Sequence, residues 1–115
     1  MSSREWRIRI EDILEALAKI ERYTSELDYT GFCQNEMAID AVIRNLEVIG
    51  EASNFVPSEI RSQYNNLPWT EMRGLRNILA HEYFNVDLQI IWHTITHDLS
   101  LLSFELKKML EYTLK

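Results

Sequence analysis

The most regular pattern along the chain is a helical repeat of apolar residues near its start. Apolar side chains recur at spacings of three, four and seven (Trp6, Ile10, Ile13, Leu17, Ile20 and Leu27), and charged residues fill many of the intervening positions. Residues spaced in this way share one face of an α-helix, which turns once every ~3.6 residues. The pattern predicts a helix over about residues 4–27, closed by Asp28-Tyr29-Thr30-Gly31, with Gly31 as a breaker.

Further helical patterns follow, separated by short turns. Asn35-Glu36 opens one of them, Pro57 and Pro68 each precede another, and Asp87 is the expected N-cap of the last. The predicted helices cover about residues 35–55, 57–65, 69–82 and 87–113. Together with the first helix, they predict an all-α, antiparallel bundle of four main helices and one short helix.

Composition supports this fold class. The chain has 115 residues, of which 46% are hydrophobic and 26% charged, so we expect one ordered domain spanning residues 1–115. It contains only 3 glycines and 2 prolines, too few turn-formers for a sandwich or barrel with a turn every ~8–12 residues. A helical bundle with few connections is the fold that remains.

Charge and cysteine usage limit the setting in which the protein works. Cys33 is the single cysteine, which excludes an internal disulfide framework, and we expect it to lie in a loop as an unreactive thiol. No apolar run reaches the ~18–20 residues that span a bilayer, and charges occupy the segment where a signal peptide is apolar. We therefore expect a soluble, cytoplasmic protein without membrane contact. Its net charge of -6 opposes indiscriminate binding to nucleic acid but permits a local basic cleft.

One segment concentrates side chains that can carry chemistry. Arg73, Arg76, Asn77, His81 and Tyr83 lie within eleven consecutive positions. An arginine fork holds a phosphate through two hydrogen bonds and stays charged at working pH, and a histidine titrates near neutrality. Together they can cleave a phosphodiester without a metal, with histidine moving a proton and arginine stabilising charge at phosphorus. The plainer alternative is that these residues only bind carboxylates or cap helix carbonyls.

Helix geometry restricts how this pair can work. On an ideal helix Arg76 and His81 lie about 140° apart, whereas Asn77 and His81 share a face. Arg76 and His81 can therefore meet at one phosphate only if the helix loosens near His81, or if another element or subunit closes a groove around both. A two-fold dimer supplies such a groove, because each subunit presents the same surface.

The motif around these residues resembles that of a known family. Arg76-Asn77-Ile-Leu-Ala-His81 matches the Arg-x4-6-His motif of the HEPN superfamily. The longer form through Tyr83, preceded by Pro68-Trp69, looks like the HepT-like branch. Two further blocks, at residues 40–52 and 90–99, resemble the same branch, so the resemblance covers nearly the whole chain.

This resemblance implies a function as well as a fold. HEPN domains are all-α bundles that usually dimerise, with the motif arginine and histidine in a cleft at the dimer interface. HepT-like members are regarded as metal-independent endoribonuclease toxins of type II toxin–antitoxin pairs, cutting RNA through 2′-hydroxyl attack without a cofactor. Their antitoxin is a minimal nucleotidyltransferase, thought to place AMP on the motif tyrosine. The resemblance thus assigns Arg76 and His81 as catalytic, Asn77 as supporting and Tyr83 as the AMP acceptor, while Arg73 either extends the cationic cleft or is an ordinary surface residue.

Other interpretations stay open at this stage. A non-catalytic helical subunit that presents a nucleotide or substrate to the same nucleotidyltransferase is the main alternative, and a plain dimerisation module is the third. His93 and His97 have a spacing that can share a metal, but a third ligand is missing, so we expect no metal site and a polar or interface face. Gly50 is suited to a close helix approach, and Glu51 is either a partner for an arginine of the motif or a solvated carboxylate.

Overall fold

The structure, a computed structural model, describes residues 3–77 and 87–114. Its α-helices are α1 (Ser3–Thr24), α2 (Tyr29–Cys33), α3 (Glu36–Asn54), α4 (Ser58–Gln63), α5 (Trp69–Gly74), α6 (Leu88–His93) and α7 (Leu99–Leu114). A 3-10 turn, Leu75–Asn77, follows α5, and a π-helical segment, Thr94–Asp98, joins α6 to α7. Over these two ranges there is no β-strand, which confirms the predicted all-α class. None of the helices in these ranges has both the length and the apolar character needed to cross a membrane.

Side-chain caps fix two of the predicted helix starts. The Asn35 side chain accepts a hydrogen bond from the backbone N–H of Ala38 at 2.9 Å, at the start of α3. At the start of α6, Asp87 accepts one from the backbone N–H of Gln89 at 3.0 Å. The first N–H groups of a helix have no partner within it, and these side-chain oxygens supply one. Both N-terminal predictions, Asn35-Glu36 and Asp87, are therefore confirmed.

The core lies between α1, α3 and α7. The apolar stripe predicted for α1 is buried, and it packs against the stripes of α3 and α7; the side chains without solvent exposure include Ile10, Ile13, Val42, Leu46, Ile49 and Leu106. α7 runs antiparallel to α1, because the Arg7 guanidinium near the start of α1 donates to the carbonyl of Leu110 near the end of α7, at 3.3 Å. Burying a Leu or Ile side chain contributes about 1.5–3 kcal/mol to folding, so these stripes hold the bundle together.

The prediction for the end of the first helix is wrong. α1 ends at Thr24, and Asp28 does not close it but N-caps a new short helix, α2, by accepting from the Gly31 N–H at 2.7 Å. Gly31 lies inside α2 rather than breaking a helix, and Cys33 is its last residue rather than a loop residue. The side chain of Phe32 is completely buried and packs on Trp92, with ring centroids 5.1 Å apart. This buried aromatic contact stabilises a helix too short to persist alone.

The predicted last helix is also less regular than its apolar spacing indicated. Between α6 and α7 the backbone widens into the π-helical segment, where the hydroxyl of Thr96 donates to the carbonyl of Trp92 at 2.7 Å. The ring of His97 lies 3.3 Å from the carbonyl of His93. Threonine and histidine side chains that approach carbonyls of the preceding turn supply the bonds that a π-bulge disturbs in the α-helical ladder.

Candidate functional site

The backbone of Arg76, the first residue of the motif, lies very close to the C-terminal half of α3. A Cβ atom added to Gly50 would lie 2.9 Å from both the Cα and the Cβ of Arg76. Real Cβ atoms do not approach other heavy atoms this closely, so only glycine fits at position 50. The packing role that the sequence suggested for Gly50 is confirmed, and its partner is the backbone of the motif arginine itself.

Arg76 and Asn77 both point into solvent from the 3-10 turn. The α-helix predicted for residues 69–82 ends at Gly74, so Arg76 does not lie on a regular α-helix as the 140° estimate assumed. A 3-10 turn is tighter than an α-turn, with about 3.0 rather than about 3.6 residues per turn. The predicted catalytic His81 and the predicted AMP acceptor Tyr83 lie outside the described residues.

Arg73 lies one turn before Arg76 and is tied to α3. Its Nε and Nη2 atoms both donate to Oδ1 of Asn54, each at 3.3 Å. This fork fixes the direction of the guanidinium, and because the acceptor is a neutral amide it leaves the positive charge uncompensated. The side chain of Arg73 is half-buried.

Arg61, on α4, is the cation that the sequence reading did not single out. Its Nη1 atom is shielded from solvent and has no hydrogen-bond partner within the described residues. Burial lowers the pKa of Arg61, and the nearby positive charge of Arg73 lowers it further. A partly buried guanidinium beside a second guanidinium carries a cost that an anion would remove.

Arg61, Arg73 and Arg76 make up what we call the cationic row. Asn54 contacts Arg73 and Gly50 contacts Arg76, so α5 and its 3-10 turn run antiparallel to the C-terminal half of α3. In residues 3–77 and 87–114, none of these three arginines forms an ion pair with a carboxylate. The row can therefore offer positive charge and N–H donors to an external anion.

The spacing of acidic residues in the sequence indicates that these three arginines are unpaired. No Asp or Glu stands three or four positions before or after Arg61, Arg73 or Arg76. Glu59 and Glu71 each precede an arginine by two positions, which places them on roughly opposite sides of the helix. Glu51, proposed as a partner for a motif arginine, is exposed and forms no ion pair within the described ranges, which fits its alternative as a solvated carboxylate.

His93, the last residue of α6, stacks on His97 of the π-helical segment. The rings of His93 and His97 lie 4.3 Å apart between centroids and are exposed. The hydroxyl of Thr96 and the Nδ1 atom of His97 are 2.9 Å apart. In the described part of the chain, no group of three or more His, Cys, Asp or Glu side chains is placed to hold a metal. Within residues 3–77 and 87–114, the pair therefore has no third protein ligand of the kind that a zinc site normally has.

Comparison with known proteins gives one consistent result. The family model for "Ribonuclease HepT-like" proteins matches residues 13–110. A protein of Methanocaldococcus jannaschii named "Putative RNase MJ1380" is 43% identical over 98 residues, covering 85% of this chain and 90% of that protein. A protein of Thermococcus cleftensis named "Probable ribonuclease HepT" is 38% identical over 100 residues, covering 87% of this chain and 91% of that protein. No solved structure matches.

Proposed function

Because this chain belongs to the HepT-like ribonuclease family, we propose that it is a metal-independent endoribonuclease whose catalytic residues are Arg76 and His81. Asn77 supports them at the same phosphate. The observation that supports the proposal is that Arg76 combines a fixed backbone with an exposed side chain. Its backbone is fixed against Gly50, while its side chain is exposed and makes no hydrogen bond or ion pair within the described residues. A guanidinium that extends into solvent from a fixed backbone, without a partner among the described residues, is suited to bind a phosphodiester.

The proposed reaction is an internal transfer within the RNA strand. The 2′-oxygen forms a bond to the adjacent phosphorus, and the bond between phosphorus and the 5′-oxygen breaks. The strand ends as a 2′,3′-cyclic phosphate on one side and a 5′-hydroxyl on the other. One proton leaves the 2′-hydroxyl and one is gained by the 5′-oxygen; His81 moves one of them, and Arg76 stabilises the charge on the phosphoryl oxygens.

Cleavage in the presence of excess chelator tests this proposal. The parent protein should cut single-stranded RNA, and Arg76→Ala and His81→Ala should each lower the rate at least ~100-fold, the effect typical of losing a general acid–base group or a charge-stabilising donor. Arg44→Ala is the matched control, because Arg44 is an exposed arginine already paired with Glu47. Equal cleavage by all four proteins would assign the activity to a contaminant and reject the proposal.

We further propose that the protein is the toxin of a toxin–antitoxin pair, silenced when a minimal nucleotidyltransferase transfers AMP to Tyr83. Tyr83 is seven positions from Arg76, so an AMP there would place an anion close to it along the chain. Co-expression with the nucleotidyltransferase should add the mass of one AMP to the parent, none to Tyr83→Phe, and should abolish cleavage only in the parent. An unmodified parent, or a modified Tyr83→Phe, would contradict this assignment.

The active form that we propose is a homodimer, in which two copies close the groove around the motif. Supporting it, the two C-terminal helices expose large apolar side chains: Ile90 is 64% exposed, Leu101 72% and Phe104 61%. Exposed apolar groups of this size are typical of surfaces that bind other proteins. In solution the protein should have twice the mass of the 13.7 kDa chain, and a monomer that still cleaves RNA would contradict the dimeric site.

A further inference from the structure

Arg61 and Arg73 are two neighbouring guanidiniums with no carboxylate partner among the described residues. One nitrogen of Arg61 is shielded from water without an acceptor, and the nearby Arg73 has a like charge. Arg73 itself is held by the side-chain oxygen of Asn54, an uncharged group. Two guanidiniums in this arrangement repel each other, and no carboxylate among the described residues forms an ion pair with either.

We propose that Arg61 and Arg73 form a phosphate-binding subsite that holds the RNA backbone next to the phosphate bound at Arg76. The proposal rests on the ribonuclease function above and specifies how the substrate is held. An anion between or beside the two guanidiniums adds two attractions that offset their mutual repulsion, and an arginine fork matches the oxygens of a phosphate. The repulsion between Arg61 and Arg73 destabilises the free protein, and bound RNA offsets it.

The backbone geometry connects this subsite to the proposed catalytic arginine. Arg73 and Arg76 are three positions apart across the junction of α5 and the 3-10 turn, so their side chains project to the same side. Asn54, the last residue of α3, aims Arg73, and Gly50, one turn earlier, seats Arg76. The carbonyl end of α3 also favours positive charge at this place. A strand bound along the row thus contacts the subsite and Arg76 in sequence.

RNA is the ligand favoured by the arrangement of the row. Arg73 lies near Arg61 and three positions from Arg76, so a polymer with a phosphate at every nucleotide can contact more of these arginines at once than a single small anion can. Contacts to phosphate carry no base information, so we expect the subsite to contribute affinity and strand position but not sequence preference. The binding must also be strongly salt-dependent, because each phosphate contact releases counterions from the strand.

The test measures binding separately from cleavage. A fluorescent single-stranded RNA with 2′-O-methyl groups throughout cannot undergo the proposed reaction, and its anisotropy reports binding to the full-length protein. Arg61→Gln and Arg73→Gln should each weaken binding about tenfold at low salt and make the plot of log affinity against log salt shallower by about 0.7. Arg44→Gln, at an arginine that is paired with a carboxylate, should match the parent in both respects.

Thermal unfolding separates a binding role from a structural one. Arg61→Gln removes a like charge beside Arg73, so without RNA its Tm should equal or exceed that of the parent. RNA should raise the Tm of the parent more than that of the variant. A variant with lower Tm and unchanged binding would make Arg61 a structural residue and overturn the subsite. Failure of the parent to bind the methylated strand would overturn it as well.

The two proposals fail in different ways. If the parent cuts RNA but both Gln variants bind the methylated strand as the parent does, the subsite is wrong and the ribonuclease stands. If the parent binds that strand through Arg61 and Arg73 but never cuts RNA in chelator, the subsite stands as a binding site and the ribonuclease is wrong.

Discussion

Arginines on the outer faces of α1 and α3 are paired with carboxylates, whereas the arginines of the cationic row are not. On α1, Arg9 lies 3.9 Å from the carboxylate of Asp12, and on α3, Arg44 lies 2.9 Å from that of Glu47. In the row, Arg73 binds a neutral amide and Arg61 has a buried nitrogen without an acceptor. Exposed pairs of the first kind contribute only ~0–1 kcal/mol to stability, but they neutralise charge. A protein with net charge -6 can therefore offer a local phosphate site where such pairing is absent.

The largest expected change breaks the contact that supports the row. In Gly50→Ala the new methyl group would lie 2.9 Å from the Cα and Cβ of Arg76, so α3 and the 3-10 turn must separate. Overpacking of this kind costs about 1–3 kcal/mol. We expect urea denaturation to show that loss in the free energy of unfolding, and the RNA cleavage rate to fall with it because Arg76 moves.

Gly74→Ala is the control for that substitution. A Cβ atom at Gly74 has no neighbour within 4 Å, and the backbone there is not in the left-handed region. Replacing such a helical glycine by alanine stabilises by about 0.5–1 kcal/mol, because the unfolded chain loses freedom. The two glycines should therefore shift stability in opposite directions. Equal shifts would mean that the Gly50 contact does not position Arg76.

A substitution with a smaller expected effect gives one arginine of the cationic row a carboxylate partner. Asn54→Asp keeps the shape of the side chain but gives Arg73 a carboxylate partner. We expect RNA affinity to fall about tenfold, or ~1.4 kcal/mol, while the free energy of unfolding changes by less than about 1 kcal/mol. Arg44→Ala should change neither quantity measurably, since Arg44 is already paired with Glu47. If Asn54→Asp left RNA affinity unchanged, pairing with a carboxylate would not decide whether Arg73 binds RNA, and the contrast between the cationic row and the paired arginines would be wrong.

The sequence predicts the parts of this fold that depend on local patterns. The apolar repeat of α1 and the caps at Asn35 and Asp87 are read correctly, because burial periodicity and N-cap chemistry act within a few residues. The predicted all-α class follows from the same signals. Glycine at position 50 was also interpreted correctly as a packing residue, although its partner could not be identified.

The parts that sequence reading missed depend on contacts between distant segments. α2 exists because Phe32 packs on Trp92, sixty positions away, and a local pattern cannot contain that contact. The 3-10 turn forms where Gly50 presses on the backbone of Arg76, and the π-helical segment has the same three-and-four apolar spacing as an α-helix. Arg61 was missed because it stands twelve positions before Arg73 and approaches it only in the folded chain.

The proposed reaction requires a 2′-hydroxyl next to the phosphate that is cut, and this requirement can be tested in a single strand. A DNA strand that contains a single ribonucleotide, at the position where the all-RNA strand is cut, is incubated with the protein in excess chelator. We expect one cut, after the ribonucleotide, leaving a 2′,3′-cyclic phosphate and a 5′-hydroxyl, with Arg44→Ala equal to the parent and Arg76→Ala at least ~100-fold slower. Cleavage of the all-DNA strand at the same rate, or equal cleavage by Arg76→Ala, would contradict the proposed reaction.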